Sequence, residues 1–215
     1  REYWDWNPNE DKDLLIGNAA AHCFHAVGHA LMYRNDHDVF LSIENCNTFS
    51  HNRMRRACYF GVFMENVFLY STAYRGDMPR PNVDGKTMGE LCKKISNKYA
   101  NAECVRDLAW PIVITGGDVT DALNECLRWP YEHKDLCVET IAIYGIAVVF
   151  KQNLNEAIGY CERNAGNISD ACIRGVAVGI RAGSAGLENQ EYTFCDLLAG
   201  QRRENCWGAV RFASP

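Results

Sequence analysis

Several features that mark common protein classes are absent from this chain. Its 215 residues contain no CxxC pair and no long run of lysine or arginine. No apolar run approaches the roughly 20 residues that span a bilayer, so the sequence predicts no transmembrane segment. Zinc and iron–sulfur knuckles are disfavoured, since they draw two thiolates from one short turn. With a net charge of −5, the chain is also a poor candidate for binding nucleic acid.

Catalytic signatures are equally scarce. No P-loop, dinucleotide fingerprint or GxSxG nucleophile elbow occurs. The chain begins at Arg1 without the apolar segment of a signal peptide, so we expect that any such signal was removed or was not included. The indications of function therefore come from cysteine, from histidine and from a repeat.

Cysteine is abundant, and ten of the 11 residues fall into five pairs. The members of each pair are separated by ten or eleven residues that include a polar breaker segment. This spacing predicts a helix, a short turn and a returning helix closed by one disulfide, with free core cysteines as the alternative. Such disulfides indicate an oxidising compartment: secreted, periplasmic or cell-surface. The predicted pairs are Cys46–Cys58, Cys92–Cys104, Cys126–Cys137, Cys161–Cys172 and Cys195–Cys206.

The cysteines also mark a repeat. Counted from Cys23 through the second cysteine of each pair, the steps are 35, 46, 33, 35 and 34 residues. Apolar residues stand one and four positions after each of these cysteines, which places them on one helical face. A period near 34 residues predicts an all-α, disulfide-stapled αα-hairpin repeat solenoid. The apolar stripe consists of Phe24, Val27, Tyr59, Val62, Val105, Leu108, Val138, Ile141, Ile173, Val176, Trp207 and Val210.

The repeat predicts a simple domain organisation. We expect one helical-repeat domain over residues 12–215, preceded by an aromatic segment over residues 1–11. That segment would cap the first hairpin or serve as an exposed docking peptide. The one long step contains an inserted loop at about residues 70–86 with two prolines. This loop is either a tolerated surface excursion or a functional insertion.

In pairing, length and period the chain resembles the secreted cysteine-rich Sel-like proteins and, more broadly, the tetratricopeptide repeats. The resemblance covers roughly residues 12–210 and includes segments such as 171–179 and 192–195. It implies stacked hairpins and a groove that binds a protein or peptide. A role as a subunit of a larger complex is a further expectation. Candidate groove residues are Phe60, Met64 and Trp110.

The first repeat is the only copy rich in histidine. His22, His25 and His29 lie within about 60° of one another on a helix, on a face about 150° from the apolar stripe. Two histidines four residues apart can direct ring nitrogens at one ion, so we expect a site for a transition metal such as Zn, Cu or Fe. The predicted ligands are His25 and His29, then His22, with Glu65 as a further ligand. Gly28 would let a ligand or a neighbouring backbone approach closely.

The leading expectation is therefore an extracytoplasmic binding or scaffold protein, or an accessory subunit, that carries this metal site. His37 or Met64 could complete the ligand set. In one alternative, a metal-dependent enzyme, Glu65 would act as the acid or base. The zincin motif HExxH is absent, because Ala26 follows His25. In the other alternative, a purely structural subunit, the histidines would bond to neighbouring side chains and hold no metal.

Two residues stand outside these patterns. Cys23 has no cysteine near Lys12, where its partner would lie, so we expect a buried free thiol, with an intermolecular disulfide as the alternative. Asn167 opens the glycosylation sequon Asn-Ile-Ser in a predicted hairpin turn. This sequon is used only if the chain passes through glycosylating machinery.

Overall fold

A computed structural model of the chain describes residues 18–74, 88–114, 116–129, 132–183 and 190–212. Within these ranges every regular element is helical and no strand occurs, which confirms the predicted all-α class. No helix in the same ranges is long and apolar enough to cross a membrane. The predicted cap over residues 1–11 lies outside the described residues. So does most of the predicted loop, although a helix continues through Tyr74.

The contacts divide the chain into two compact units, Arg1–Asn66 and Val67–Pro215. The division falls inside a helix. The repeat pattern, from which we expect one domain over residues 12–215, does not indicate a division at this point. The first unit holds α1 (Asn18–Arg34), α2 (Val39–Asn47) and most of α3 (Asn52–Tyr74). The second unit continues with α4 (Met88–Lys93), α5 (Lys98–Arg106), α6 (Trp110–Ile114), α7 (Val119–Arg128), α8 (Lys134–Ile141), a π-helical turn (Ala142–Ile146), α9 (Ala147–Val149), α10 (Leu154–Asn164), a 3-10 turn (Gly166–Ile168), α11 (Ser169–Arg181), α12 (Glu191–Asp196) and α13 (Gly200–Phe212).

Side-chain caps fix where several of these helices begin. Asp38 precedes α2, Asn97 precedes α5 and Asp118 precedes α7. Each of these side chains accepts a hydrogen bond from a backbone N–H group in the first turn of its helix. Because the first N–H groups of a helix have no partner within it, such caps stabilise the helix ends.

Five disulfides close consecutive helices into hairpins and confirm the five predicted pairs. They join α2 to α3, α4 to α5, α7 to α8, α10 to α11 and α12 to α13, with Cα atoms 5.6 to 5.8 Å apart. These separations are ordinary for disulfides. The ten cysteines are at most 1% exposed. Five buried disulfides fit a protein of an oxidising compartment.

The predicted apolar stripe lies at the packed faces of the helices. Nine of its 12 residues are buried, while Phe24, Val27 and Trp207 are half-buried. These three belong to the first and last described helices, which have a described neighbour on one side only. In the second unit the returning helices pack in series, α5 on α8, α8 on α11 and α11 on α13.

Cys23 forms no disulfide, as predicted, but its thiol is exposed, so the prediction of a buried thiol is wrong. The buried residues of α1 include Gly28, Leu31 and Met32. Cys23 lies about 140° from Gly28 around the helix and so points away from this packed face. In the other repeats the equivalent cysteine is buried by its disulfide partner, and Cys23 has no such partner.

Candidate metal and histidine site

Helices α1 and α3 cross at two glycines, and the crossing brings the predicted site residues together. A Cβ atom on Gly28 would lie 2.1 Å from the carbonyl oxygen of Cys58. A Cβ atom on Gly61 would lie 2.0 Å from the carbonyl oxygen of His25. Since no side chain fits at such distances, only glycine allows the two backbones to lie so close. The expectation that Gly28 admits a neighbouring backbone is confirmed.

The rings of His25 and His29 face each other one helical turn apart. Their Nε2 atoms are separated by 3.0 Å, and the ring planes meet at 77°. At this distance the Nε2–H group of one ring donates a hydrogen bond to Nε2 of the other. Both side chains are half-buried. The two imidazoles therefore direct the same nitrogen toward one point.

Glu65, on α3, holds His29 from the other side of the ring. Its Oε2 atom lies 2.6 Å from Nδ1 of His29, and Glu65 is only 7% exposed. A carboxylate at this position accepts the Nδ1–H hydrogen bond, which fixes the tautomer and the orientation of the imidazole. Nε2 of His29 is then left as the basic nitrogen that faces His25.

Tyr33 extends this chain of contacts to the surface. Glu65 raises the pKa of the Tyr33 hydroxyl, through hydrogen bonding first and then through the negative charge of the carboxylate. The side chain is 60% exposed, and its ring meets that of His37 edge-on with centroids 5.4 Å apart. Asp36 and His37 have φ angles of 50° and 64°, a left-handed conformation that is uncommon for residues other than glycine. A strained turn thus holds His37 beside Tyr33.

The remaining predicted residues lie around this group or away from it. The ring centroid of Phe60 is 4.7 Å from that of His25, so Phe60 forms an apolar wall of the site. Met64 is half-buried on α3, and His22 is exposed on α1. Trp110 belongs to the second unit, where its ring stacks on that of Tyr144.

The site offers a metal ion a small number of ligands. Within the described ranges, no group of three or more His, Cys, Asp or Glu side chains is arranged to hold a metal ion. His25 and His29 supply two nitrogen donors, while Glu65 is bonded to the far side of His29. An ion at this point would complete its coordination with water or with a donor from another molecule.

The second unit contains buried charges that sequence reasoning missed. Glu103, Asp107 and Glu139 are 2%, 0% and 8% exposed. Arg106 bonds to Glu103 at 3.0 Å, and Arg174 lies 3.6 Å from Glu139. Burial raises the pKa of Asp107 to about 8 and also raises that of Glu139. Desolvation of the charged form is the main cause in both carboxyl groups.

The repeat pattern contains one indication of these buried ion pairs. The slot two residues after the second cysteine holds Arg106, Glu139 and Arg174 in successive copies, so the charge alternates in sign. In the first two copies the same slot holds His25 and Phe60, whose rings are in contact. This slot, which the sequence marks only as variable, is therefore a point of contact between successive helices within each unit.

No protein-family model, curated protein or solved structure matches the chain. The resemblance to Sel-like and tetratricopeptide repeats accordingly stays a prediction.

Proposed function

We propose that this chain is a disulfide-stapled helical-repeat scaffold that is exported to an oxidising compartment and binds a transition metal at His25 and His29. One observation carries the proposal: the two Nε2 atoms converge to 3.0 Å while Glu65 holds Nδ1 of His29 at 2.6 Å. Histidines that ligate metals commonly bond through their second nitrogen to a carboxylate, which orients the ring.

The spacing of the two nitrogens suits a shared ion. Metal–nitrogen bonds of about 2.0–2.1 Å place two nitrogens on one ion roughly 3 Å apart. His25 and His29 are the ligands in this proposal, and Glu65, first expected as a ligand, acts from the outer shell. His22, exposed three residues before His25, is the histidine nearest in sequence that could add a third nitrogen.

The bonding of Glu65 favours a binding role over a metal-dependent enzyme. A general acid or base must exchange protons with a substrate, so its carboxyl group has to be within reach of that substrate. Glu65 is buried and is already bonded by His29. Its position suits an orienting group.

The scaffold part of the proposal is supported by the hairpins. Five hairpins are closed by disulfides, and the returning helices of the second unit pack in series. Stacked hairpins of this kind build extended surfaces that bind proteins or peptides. We infer a repeat solenoid whose partner is a protein or a peptide.

Elemental analysis by mass spectrometry tests the metal site. We expect about one equivalent of one transition metal in untagged protein with verified disulfides, and its loss in His25→Ala and His29→Ala. Glu65→Gln should weaken metal affinity by about 10–100-fold without abolishing binding, because an outer-shell partner orients a ligand and does not bind the ion.

His51→Ala is the matched control, because His51 is an exposed histidine in the turn before α3 and should not affect metal content. Wild-type protein that takes up no metal after reloading would contradict the site. Unchanged affinity in His29→Ala would contradict it equally.

A further inference from the structure

An aromatic row crosses the surface of the second unit. It consists of Phe68 in the last part of α3, Trp110 in α6 and Tyr144 in the π-helical turn. The ring centroids of Phe68 and Trp110 are 6.1 Å apart, and those of Trp110 and Tyr144 are stacked at 5.0 Å. Phe68 and Tyr144 are 42% and 41% exposed, Trp110 between them is buried, and Val148, one turn after Tyr144, is exposed. Exposed apolar patches with tryptophan and tyrosine commonly mark interaction sites.

A local distortion of the helix places Tyr144 in this row. Helix α8 passes into the π-helical turn Ala142–Ile146 before α9 begins. Gly145 in this turn packs against α7, since a Cβ atom on it would lie 2.8 Å from Cγ1 of Val119. The neighbouring Tyr144 stacks on Trp110. Turns of this type are frequent at functional sites.

Asp107 lies in the turn between α5 and α6 and is fully buried. Among the described residues, neither of its carboxyl oxygens has a hydrogen-bond partner. The nearby arginines already contact other carboxylates, Arg106 at 3.0 Å from Glu103 and Arg174 at 3.6 Å from Glu139. Of the buried carboxyl groups Glu103, Asp107 and Glu139, Asp107 is therefore the one without an ion-pair partner in the part of the chain that the structure describes.

We propose that the aromatic row binds a partner segment that presents an arginine or lysine side chain, whose cationic head is held by Asp107 and by the ring of Tyr144. This inference rests on the partner-binding part of the proposed function and names the chemistry of the partner. Its residues lie in the second unit and do not include the histidine site.

The chemistry of Asp107 suits a cationic partner. A buried carboxyl group without donors is unfavourable, and a guanidinium or ammonium group supplies both N–H donors and a positive charge. Burial raises the pKa of Asp107 to about 8, so the group holds a proton at neutral pH in the free protein. A bound cation favours the carboxylate, so binding releases that proton.

Tyr144 is the side chain suited to admit the cation. The backbone N–H of Trp110 donates a hydrogen bond to the carbonyl oxygen of Asp107 at 3.2 Å, and the ring of Trp110 stacks on that of Tyr144, so Asp107 lies one turn from this pair of rings. Because Asp107 is enclosed, a neighbouring side chain must move before a ligand touches it, and Tyr144 is already 41% exposed. Its ring then attracts the cation through a cation–π contact.

The test uses a blocked tripeptide with a central arginine and the same peptide with citrulline, the neutral counterpart of arginine. Binding is followed through the indole N–H resonance of Trp110 and by calorimetry in two buffers of different ionisation enthalpy at neutral pH. We expect a saturable shift with the arginine peptide, release of about one proton, and affinity for the citrulline peptide weaker by about tenfold or more.

Two variants locate the binding. Asp107→Asn preserves shape and should lose about tenfold in affinity together with the proton release. Tyr144→Leu should lower affinity by a similar factor, whereas Tyr192→Leu, which changes an exposed tyrosine on α12, should not. Circular dichroism and the disulfide count verify that each variant is folded.

Three outcomes would overturn the inference: no saturable shift at millimolar peptide, equal affinity for the two peptides, or unchanged affinity and proton release in Asp107→Asn. His25→Ala should bind the arginine peptide as wild type does. Loss of the metal site and loss of peptide binding are thus separate results.

Discussion

Two aspartates of the second unit show how surroundings decide the behaviour of one side-chain type. Asp118 is exposed, and hydrogen bonding by the Thr120 side chain and then by the Thr120 backbone N–H lowers its pKa. Asp107 is enclosed, and desolvation raises its pKa to about 8. A hydrogen bond to the carboxylate favours the charged form, while burial disfavours it. The two residues must therefore affect stability in opposite directions as pH changes.

Asp107→Asn should raise the free energy of unfolding, relative to wild type, at alkaline pH. The folded pKa of about 8 exceeds the ordinary value of 3.8, so the folded protein binds a proton that the unfolded chain releases. The stabilisation from this proton is complete below pH 3.8 and is lost as pH rises to about 8. Relative to wild type, the variant should gain about 1–3 kcal/mol at about pH 9, measured by denaturant unfolding.

Asp118→Asn is the control, because the contribution of Asp118 to stability should change with pH in the opposite direction. Because the folded pKa of Asp118 is lowered, its contribution is present above the ordinary pKa and is lost as pH falls through the folded pKa. The difference between this variant and wild type should therefore shrink in acid. If the Asp107→Asn and wild-type curves separate toward low pH instead, then Asp107 is not held protonated by burial.

The crossing of α1 and α3 depends on the absence of a side chain at Gly61. We expect Gly61→Ala to lower the free energy of unfolding by about 1–3 kcal/mol or more, because its Cβ would collide with the backbone of α1. Separation of the helices would also move Glu65 away from His29, so metal affinity should fall with stability. Urea unfolding and metal titration of the same variant measure both effects.

Gly208→Ala is the matched control for that substitution. Gly208 lies within α13, and a Cβ atom there would meet no atom within 4 Å. Alanine favours the helix over glycine by roughly 0.5–1 kcal/mol, so this variant should gain stability. If the two alanine variants behave alike, the crossing does not depend on close backbone contact.

The elements that could be predicted from the sequence are those set by local spacing. Paired cysteines bracketing a polar segment permit a disulfide only if the chain turns back between them, so the five hairpins followed directly. The i, i+4 spacing of His25 and His29 likewise fixes both rings on one helical face. Glu65, named from the adjacent repeat, contacts His29 through packing that the spacing only suggested.

The elements that could not be predicted depend on contacts between distant segments. The π-helical turn at Ala142–Ile146 has no local signal and accompanies close packing of Gly145 on α7. Asp107 is fully buried although it lies in the turn between α5 and α6, and no local pattern indicates this burial. The effect of Glu65 on the pKa of Tyr33 relates residues 32 positions apart, which no periodicity connects.

Each disulfide lies within one unit: Cys46–Cys58 in the first, and the other four in the second. The bridges therefore stabilise hairpins locally, and none of the five joins one unit to the other. Loops this short contribute about 3 kcal/mol per disulfide by restricting the unfolded chain. Both units should thus depend on oxidising conditions for their stability.

Thiol labelling of the folded protein tests this whole arrangement at once. Iodoacetamide should add one group to the native protein, at exposed Cys23, because the ten other cysteines are buried in disulfides. After reduction and unfolding, all 11 should be labelled. More than one native adduct would mean that a hairpin is open. No adduct together with a doubled mass under non-reducing conditions would mean that a disulfide at Cys23 joins two chains. An exposed thiol reacts with iodoacetamide unless it is already bonded to another sulfur.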